Sequence, residues 1–392
     1  MSVTIVGVPY WKGDRRRYAV VGLCLVVLAL TFGSTRSASA ATVWIVDDDA
    51  AQCPSAATSL TGFTGSTGIT DAIAAASEGD TIVVCPGTYD ATTVDKRVTL
   101  SGYTKDLSTK LSVCSDRLHN PADQTTKDSI VVGFFVTADF ATIKGFTVTA
   151  PESGINIPSG TDGVWVTRNV LQDNSIGVNL NGTMSRVEFN CIRENNAGGS
   201  ASGTGIYSDQ GLKSAKINSN VFVNNPAAAI TLLDAAGVGS LDDVRVQNNT
   251  SSNDGDLISI AGSTNSLIRQ NSATGADGAG IFLEMGMAAN SNLEISNNTL
   301  KNGGDIGINA ADTGLVNSTI KKNTAKGNAS VGILIQDNNT DNTITNNDFR
   351  GNFGPVDCAD LTTGGTGTAG THNTWKNDKG KTSFPSGICK KK

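Results

Sequence analysis

The feature that most constrains this chain is a short motif, a β-branched residue followed three positions later by Asn, that keeps returning. It reads Val166-Thr-Arg-Asn169, Val187-Glu-Phe-Asn190, Ile217-Asn-Ser-Asn220 and Val246-Gln-Asn-Asn249, then Ile268-Arg-Gln-Asn271, Ile295-Ser-Asn-Asn298, Ile320-Lys-Lys-Asn323 and Ile344-Thr-Asn-Asn347. The steps between successive Asn are 21, 30, 29, 22, 27, 25 and 24 residues. A period of this size implies stacked repeats, each burying its apolar face only against its neighbours.

A second signal keeps the same period. Gly154-Ile-Asn-Ile, Gly177-Val-Asn-Leu, Gly205-Ile-Tyr-Ser, Ala229-Ile-Thr-Leu, Leu257-Ile-Ser-Ile, Gly280-Ile-Phe-Leu, Gly307-Ile-Asn-Ala and Gly332-Ile-Leu-Ile are short alternating segments. Their alternation places Ile or Val inward and a polar or aromatic residue outward, as in a strand. Every coil therefore carries at least two strands joined by Gly, Asn and Asp turns, with no helical stretch between them. Only Pro226 lies between Pro158 and Pro355, as stacked strands that need their N–H groups require. The chain holds 35 Asn, 32 of them between Asn156 and Asn352. At a turn Asn tolerates the left-handed conformation, and its amide can bond to the Asn above and below, so the excess reads as scaffold. Leu212-x-x-Ala215-x-Ile217-x-x-Asn220 and Leu241-x-x-Val244-x-Val246-x-x-Asn249 fit a leucine-rich repeat loosely. Leucine is sparse, however, and a horseshoe has no place for the second strand. The expected fold is all-β, a parallel β-helix.

The first 40 residues read as an export signal: Arg15-Arg16-Arg17, an apolar run from Ala19 to Phe32, and Ala38-Ser39-Ala40 as cleavage site. The run is shorter than the ~20 residues needed to span a bilayer, so no membrane attachment is expected once it is removed. Formal net charge is −6, and loss of the leader's five cations and one acid takes it to −10. That balance argues against nucleic acid as partner. With two His, a multi-histidine metal centre is excluded. Export places the chain in an oxidising compartment, where Cys53, Cys85, Cys114, Cys191, Cys358 and Cys389 are disulfide candidates. Six cysteines allow 15 connectivities. The simplest joins Cys53 to Cys85 and Cys358 to Cys389 at the two ends, and leaves the pairing of Cys114 and Cys191 open. The expected organisation is a signal (1–40), an N-terminal cap segment (41–80), coils (81–352) and a C-terminal tail (353–392). Thr70 to Ser77 reads as a short capping helix with Thr70 as N-cap, covering the open edge of the first coil.

The segments EGDTIVVCPGTYD (residues 78–90) and VDKRVTLSGY (residues 94–103), followed by coils ending in Asn, resemble secreted right-handed parallel β-helix repeat proteins of the pectate-lyase-like superfamily. The resemblance covers about residues 69–352, and Cys358 to Cys389 resembles the disulfide-bearing tail of such proteins. It implies an extracellular or cell-envelope location and a polysaccharide partner. Lyases, hydrolases, epimerases and non-catalytic proteins share the scaffold, and no catalytic set of the family transfers residue by residue. The Asn-Thr-Asp, paired-Asp and Gly-His-Gly motifs of the hydrolases have no counterpart, and His119 and His372 lie outside the repeats. Asp47-Asp48-Asp49 and Asp242-Asp243 read as solvated turns.

Alignment of the coils yields three sets of candidate residues. One position before the repeated β-branched residue stand Trp165, Arg186, Lys216 and Arg245, then Leu267, Glu294 and Thr319. Arg186, Lys216 and Arg245 would grip an acidic polysaccharide, unless Glu188 and Asp243 merely neutralise them. At the end of the other strand, Glu284, Asp312 and Asp337 are candidate oxygen ligands for calcium. On its outward face, Tyr207 with Asn179, Asn181 and Asp209 makes a sugar-like surface of one aromatic, two amides and a carboxylate. The functional expectation is polysaccharide binding or processing. The alternatives are a calcium-dependent polysaccharide lyase and a structural or adhesive surface protein.

Overall fold

The computed structural model describes residues 41–104, 111, 114 and 127–391, so the expected signal lies outside the described residues. Three long parallel sheets run the length of the stack: sheet 1 of fourteen strands, sheet 2 of ten and sheet 3 of twelve. One coil shows how the sequence closes. Trp165–Thr167 lies in sheet 1, Val170–Gln172 in sheet 2 and Ile176–Leu180 in sheet 3. Single residues in the left-handed region, Arg168 (φ 54°) and Asp173 (φ 58°), turn the two corners. After each corner an Asn points inward, Asn169 and then Asn174, both fully buried. A longer turn returns the chain to sheet 1. The coil thus has three strands; the third occupies the segment just after the repeated Asn.

The repeated β-branched residue forms an inward column, Val166, Val187, Ile217, Val246, Ile268, Ile295, Ile320 and Ile344, none more than 1% exposed. The eight motif Asn residues form an unbroken side-chain ladder. From Asn190 onward each Oδ1 accepts from the backbone N–H and the Nδ2 of the Asn one coil earlier, as Asn249 does from Asn220 at 3.0 and 3.1 Å. Each Nδ2 also donates to the carbonyl of the preceding coil's core residue, as Asn249 does to Ile217 at 3.0 Å. The ladder ends where Asn347 donates to Asp378 at 2.7 Å. A second ladder runs through Asn174, Asn195, Asn225 and Asp254 at the corner between sheets 2 and 3.

The cap differs in detail from expectation. The helix α2 spans Gly68–Ala75 with Thr67 at its N-cap position, three residues before the expected Thr70. Ile69, Ala72 and Ile73, spaced for one helical face, bury against the first coil and set its phase. A shorter helix, α1 (Ser55–Thr58), precedes it. Sheet 1 takes in Val43–Asp47 from the cap segment and Thr374–Lys376 from the tail, so coil strands extend to both sides of 81–352. Disulfides join Cys53 to Cys85, Cys114 to Cys191 and Cys358 to Cys389. The second pins Cys114 over sheet 2, where Val170, Cys191, Val221 and Val223 form a separate apolar cluster beneath it. Arg193 is buried there too, donating to the Cys114 carbonyl at 2.9 Å and to Gln172 Oε1.

Two predictions follow from the ladders. Asn249→Ala leaves the buried Asn220 backbone N–H without its acceptor and removes a donor from the Ile217 carbonyl, and unfolding measurements should show a loss of about 3 kcal/mol. Asp254 is fully buried, and burial pushes its carboxyl up to about 6. Its folded value lies above the unfolded one, so its contribution is full below pH 4 and lost as pH rises through 6. Asp254→Asn should therefore gain on the parent between pH 4 and 7, by up to about 3 kcal/mol, read as a rising Tm difference.

Candidate functional site

The parallel register turns each outward position into a column, with neighbours about 4.8 Å apart. On sheet 1, Trp165 pairs with Arg186, Arg186 with Lys216, and Lys216 with Arg245. Arg245 reaches Asp243 at 3.5 Å in an exposed contact worth little by itself. Arg186 and Lys216 have no ion-pair partner among the described residues. Glu188 pairs in register with Asn218, in the neighbouring outward column.

On sheet 3, the outward column runs Phe135, Asn156, Asn179, Tyr207, Thr231, Ser259, Phe282. Asn179 Nδ2 donates to Asn156 Oδ1 at 3.4 Å. Tyr207 Oη donates to Asp209 Oδ2 at 3.4 Å, and burial together with that carboxylate holds the phenol above its ordinary pKa. Asn181, read as part of the sugar-like surface, is buried. Its Oδ1 accepts from Ser208 Oγ and from the backbone of Asp209 and Gln210, so it shapes the turn that presents Asp209. The column opens at its N-terminal end into a cleft of about 340 Å³ lined by Thr93, Val132, Phe135, Pro151, Glu152 and Asn156. The six expected binding residues therefore occupy two faces: Arg186, Lys216 and Arg245 on sheet 1, Asn179, Tyr207 and Asp209 on sheet 3.

Two residues on the sheet 3 side were not singled out from the sequence. Phe135 extends the outward alternation one coil upstream of Asn156, where the Asn motif has not yet begun. Asp256 opens the strand Asp256–Ala261, and burial, with Glu284 and Asp305 nearby, raises its carboxyl to about 6.

The three calcium candidates are not drawn into one group. Leu283 pairs with Ala310 and Ala310 with Ile335, so Glu284 lies level with Ala311 and Gln336 rather than with Asp312 and Asp337. Glu284 accepts from Ser259 at 2.8 Å and Asp312 from Asn338 at 2.8 Å. Among the described residues, the three carboxylates within 4.8 Å of one another are Asp47, Asp48 and Asp49. Asp47 is not the solvated turn acid the sequence suggests. It is fully buried, accepts the Cys53 N–H, and is raised by that burial above the usual carboxylate range. Adding millimolar calcium is expected to leave Tm unchanged in a thermal scan; a rise abolished by Asp312→Asn would show that the acids converge on an ion.

Residues 233–349 match a family model described as "Right handed beta helix region". No curated protein matches the sequence. Among solved structures, the Dettilon tailspike protein is 18% identical at a TM-score of 0.50, over 73% of this chain and 63% of that one. This chain thus spans less than two thirds of the tailspike's length. A mannuronic acid specific polysaccharide lyase of family 6 from human gut microbiota is 16% identical over 70% and 68% of the two chains, with a TM-score of 0.48. The catalytic unit of an α-1,3-glucanase from Streptomyces thermodiastaticus is 14% identical over 82% and 67%, with a TM-score of 0.49. At these identities the likeness is one of fold. By architecture the chain is a parallel β-helix, and its matched segment belongs to the right-handed β-helix type.

Proposed function

We propose that this is an exported β-helix protein that binds an extracellular or cell-envelope polysaccharide along the outer face of sheet 3. The observation that carries the reading is the column itself. Phe135, Asn156, Asn179 and Tyr207 stand on successive coils, with Asp209 beside the tyrosine and the cleft at the upstream end. Aromatic faces stack on the apolar faces of sugar rings, while amides and carboxylates bond their hydroxyls; a groove needs a few such groups placed in line. Phe135 and Tyr207 are three coil steps apart, about 14 Å, which suits an extended oligosaccharide lying along the axis. The three disulfides favour an oxidising compartment. The matched solved structures include a polysaccharide lyase and a glucanase, and their names support a glycan as ligand class. Asp256 is the residue to substitute should turnover accompany binding.

The test is isothermal titration against a panel of neutral and acidic oligosaccharides, with absorbance followed for an unsaturated product. Tyr207→Ala combined with Asn179→Ala is expected to weaken the best ligand by about ten-fold or more with Tm unchanged within about 2 °C. Equal affinity in parent and variant would remove sheet 3 as the binding face. An unsaturated product lost in Asp256→Asn would establish the lyase reading.

A further inference from the structure

The outward column of sheet 3 repeats at a longer interval than the coil. Phe135 is followed by Asn156 and Asn179, and then comes Tyr207. Tyr207 is followed by Thr231 and Ser259, and then comes Phe282. An aromatic ring therefore returns at every third coil, with two hydrogen-bonding side chains between successive rings. Three coil steps make about 14 Å. Phe135 is 44% exposed, and Tyr207 and Phe282 are partly exposed, so all three rings reach the surface. The core does not impose this interval. The inward residue just before each position is Ile or Val at every coil from Ile155 to Ile281, always fully buried. Past Asn309 the column changes: Leu334 and Ala359 follow, and Phe384 stands four steps beyond Phe282, outside the interval.

The two later rings carry the same companion. Asp209 lies two residues after Tyr207 and Glu284 two residues after Phe282, on the same side of the strand. In the coils between them that place holds Leu233 and Ala261. Tyr207 Oη donates to Asp209 at 3.4 Å, and Glu284 accepts from Ser259 Oγ at 2.8 Å. Ring and acid thus form a unit that occurs twice, three coils apart. The charge on this face has one sign. None of the twelve strands of sheet 3 contains Lys or Arg, and Glu152 lines the cleft at its upstream end. A polyanion meets like charge here, whereas a neutral chain meets acceptors for its hydroxyls.

We infer that this face selects a neutral glycan whose chain turns with three sugars per repeat, every third sugar stacking on Phe135, Tyr207 or Phe282. The inference rests on the sheet 3 reading above and adds the charge and the conformation of the ligand. One sugar of an extended chain is close in length to one coil step. A ribbon-like chain with a two-fold screw shows the same face at every second sugar. Rings three steps apart would meet its opposite faces, so Asp209 and Glu284 would not find the same hydroxyl. A chain with a three-fold screw shows the same face at every third sugar and meets both units alike. Asn156, Asn179, Thr231 and Ser259 then face the two sugars between successive rings, where amides and hydroxyls can both donate and accept.

The experiment titrates the full chain with three oligosaccharide series of graded length. Xylo-oligosaccharides are neutral and turn three-fold, cello-oligosaccharides are neutral and two-fold, and oligogalacturonates are three-fold but charged. Three coil steps need four sugars, so the xylo series is expected to gain about ten-fold in affinity between three sugars and four. A second gain is expected at seven sugars, which reach all three rings. Phe282→Ala should abolish that second gain and keep the first. Phe135→Asn with Asn156→Phe moves the upstream ring to two steps from Tyr207, and should shift preference about ten-fold towards the cello series. Affinity that climbs evenly with length, equal affinity for the two neutral series, tighter binding of the galacturonates, or binding of neither neutral series would overturn the inference. So would a preference left unmoved by the exchange of Phe135 and Asn156. The underlying reading fails by a different result. If Tyr207→Ala with Asn179→Ala still weakens whatever glycan is bound, sheet 3 stands as the binding face for a chain of another shape; if it matches the parent, the face itself falls.

Discussion

The amide-to-amide hydrogen bond between Asn side chains of successive coils is the contact on which the rest of the molecule depends. A coil that turns after three residues leaves backbone N–H and C=O groups at its corners with no strand beside them, and the interior offers no water to take their place. An inward Asn supplies both an acceptor and two donors at that point. Asn220 shows the full set: its Oδ1 takes the Asn190 N–H and Nδ2, and its own Nδ2 gives to the Val187 carbonyl and to Asn249. Because every rung uses the coil on each side, the bonds are satisfied only when coils stack in one register. The same interaction that closes a corner therefore sets the alignment of the outer surface.

That coupling explains how a simple stack produces functional geometry. Once Val166, Val187 and Ile217 are locked inward, the residue before each must point outward and in line, so Trp165, Arg186 and Lys216 form a track without any contact among themselves. Sheet 3 does the same for Phe135, Asn156, Asn179 and Tyr207. The positions free to vary are those pointing out, and a linear polymer lying along the axis meets them in order. Sheet 2 is excluded from this role in the coils where Cys114 lies over Val170, Cys191 and Val221.

Much of this was legible in the residues, and the failures have physical causes. The Val/Ile-x-x-Asn steps located sheet 1 and predicted its outward column correctly, because the column is a direct consequence of register. The second ladder was equally present as Asn169 with Asn174, Asn190 with Asn195 and Asn220 with Asn225, a constant five-residue offset, but it was absorbed into a general excess of Asn. The calcium trio is not level in the stack: Glu284 ends its strand one position before Asp312 and Asp337, and in a pleated stack one position separates columns. Asp47 looked like a turn acid because the sequence does not show that Cys53 and its disulfide fold back over it. The buried Arg193 was invisible for the same reason: its cover comes from a residue 79 positions away.

The corners flanking sheet 1 share one backbone geometry but not one residue type. Where corners are Asn, as at Asn265, Asn292, Asn297 and Asn317, the sequence follows what the ladder favours, and the outer face of sheet 1 is mixed in charge, with Lys321 bonded to Glu294 at 2.7 Å. Where corners are Phe140, Arg168, Met184 and Phe189, local preference is overridden, and the outer face is aromatic and cationic. Gln270 and Lys322 turn the corner after sheet 1 within the Asn-rich half, so departure from Asn is not confined to one part of the stack. The Phe140 ring packs over Gly163 and Phe189 is only 39% exposed, so part of the cost of a bulky left-handed corner is offset by contacts the side chain makes with its own stack.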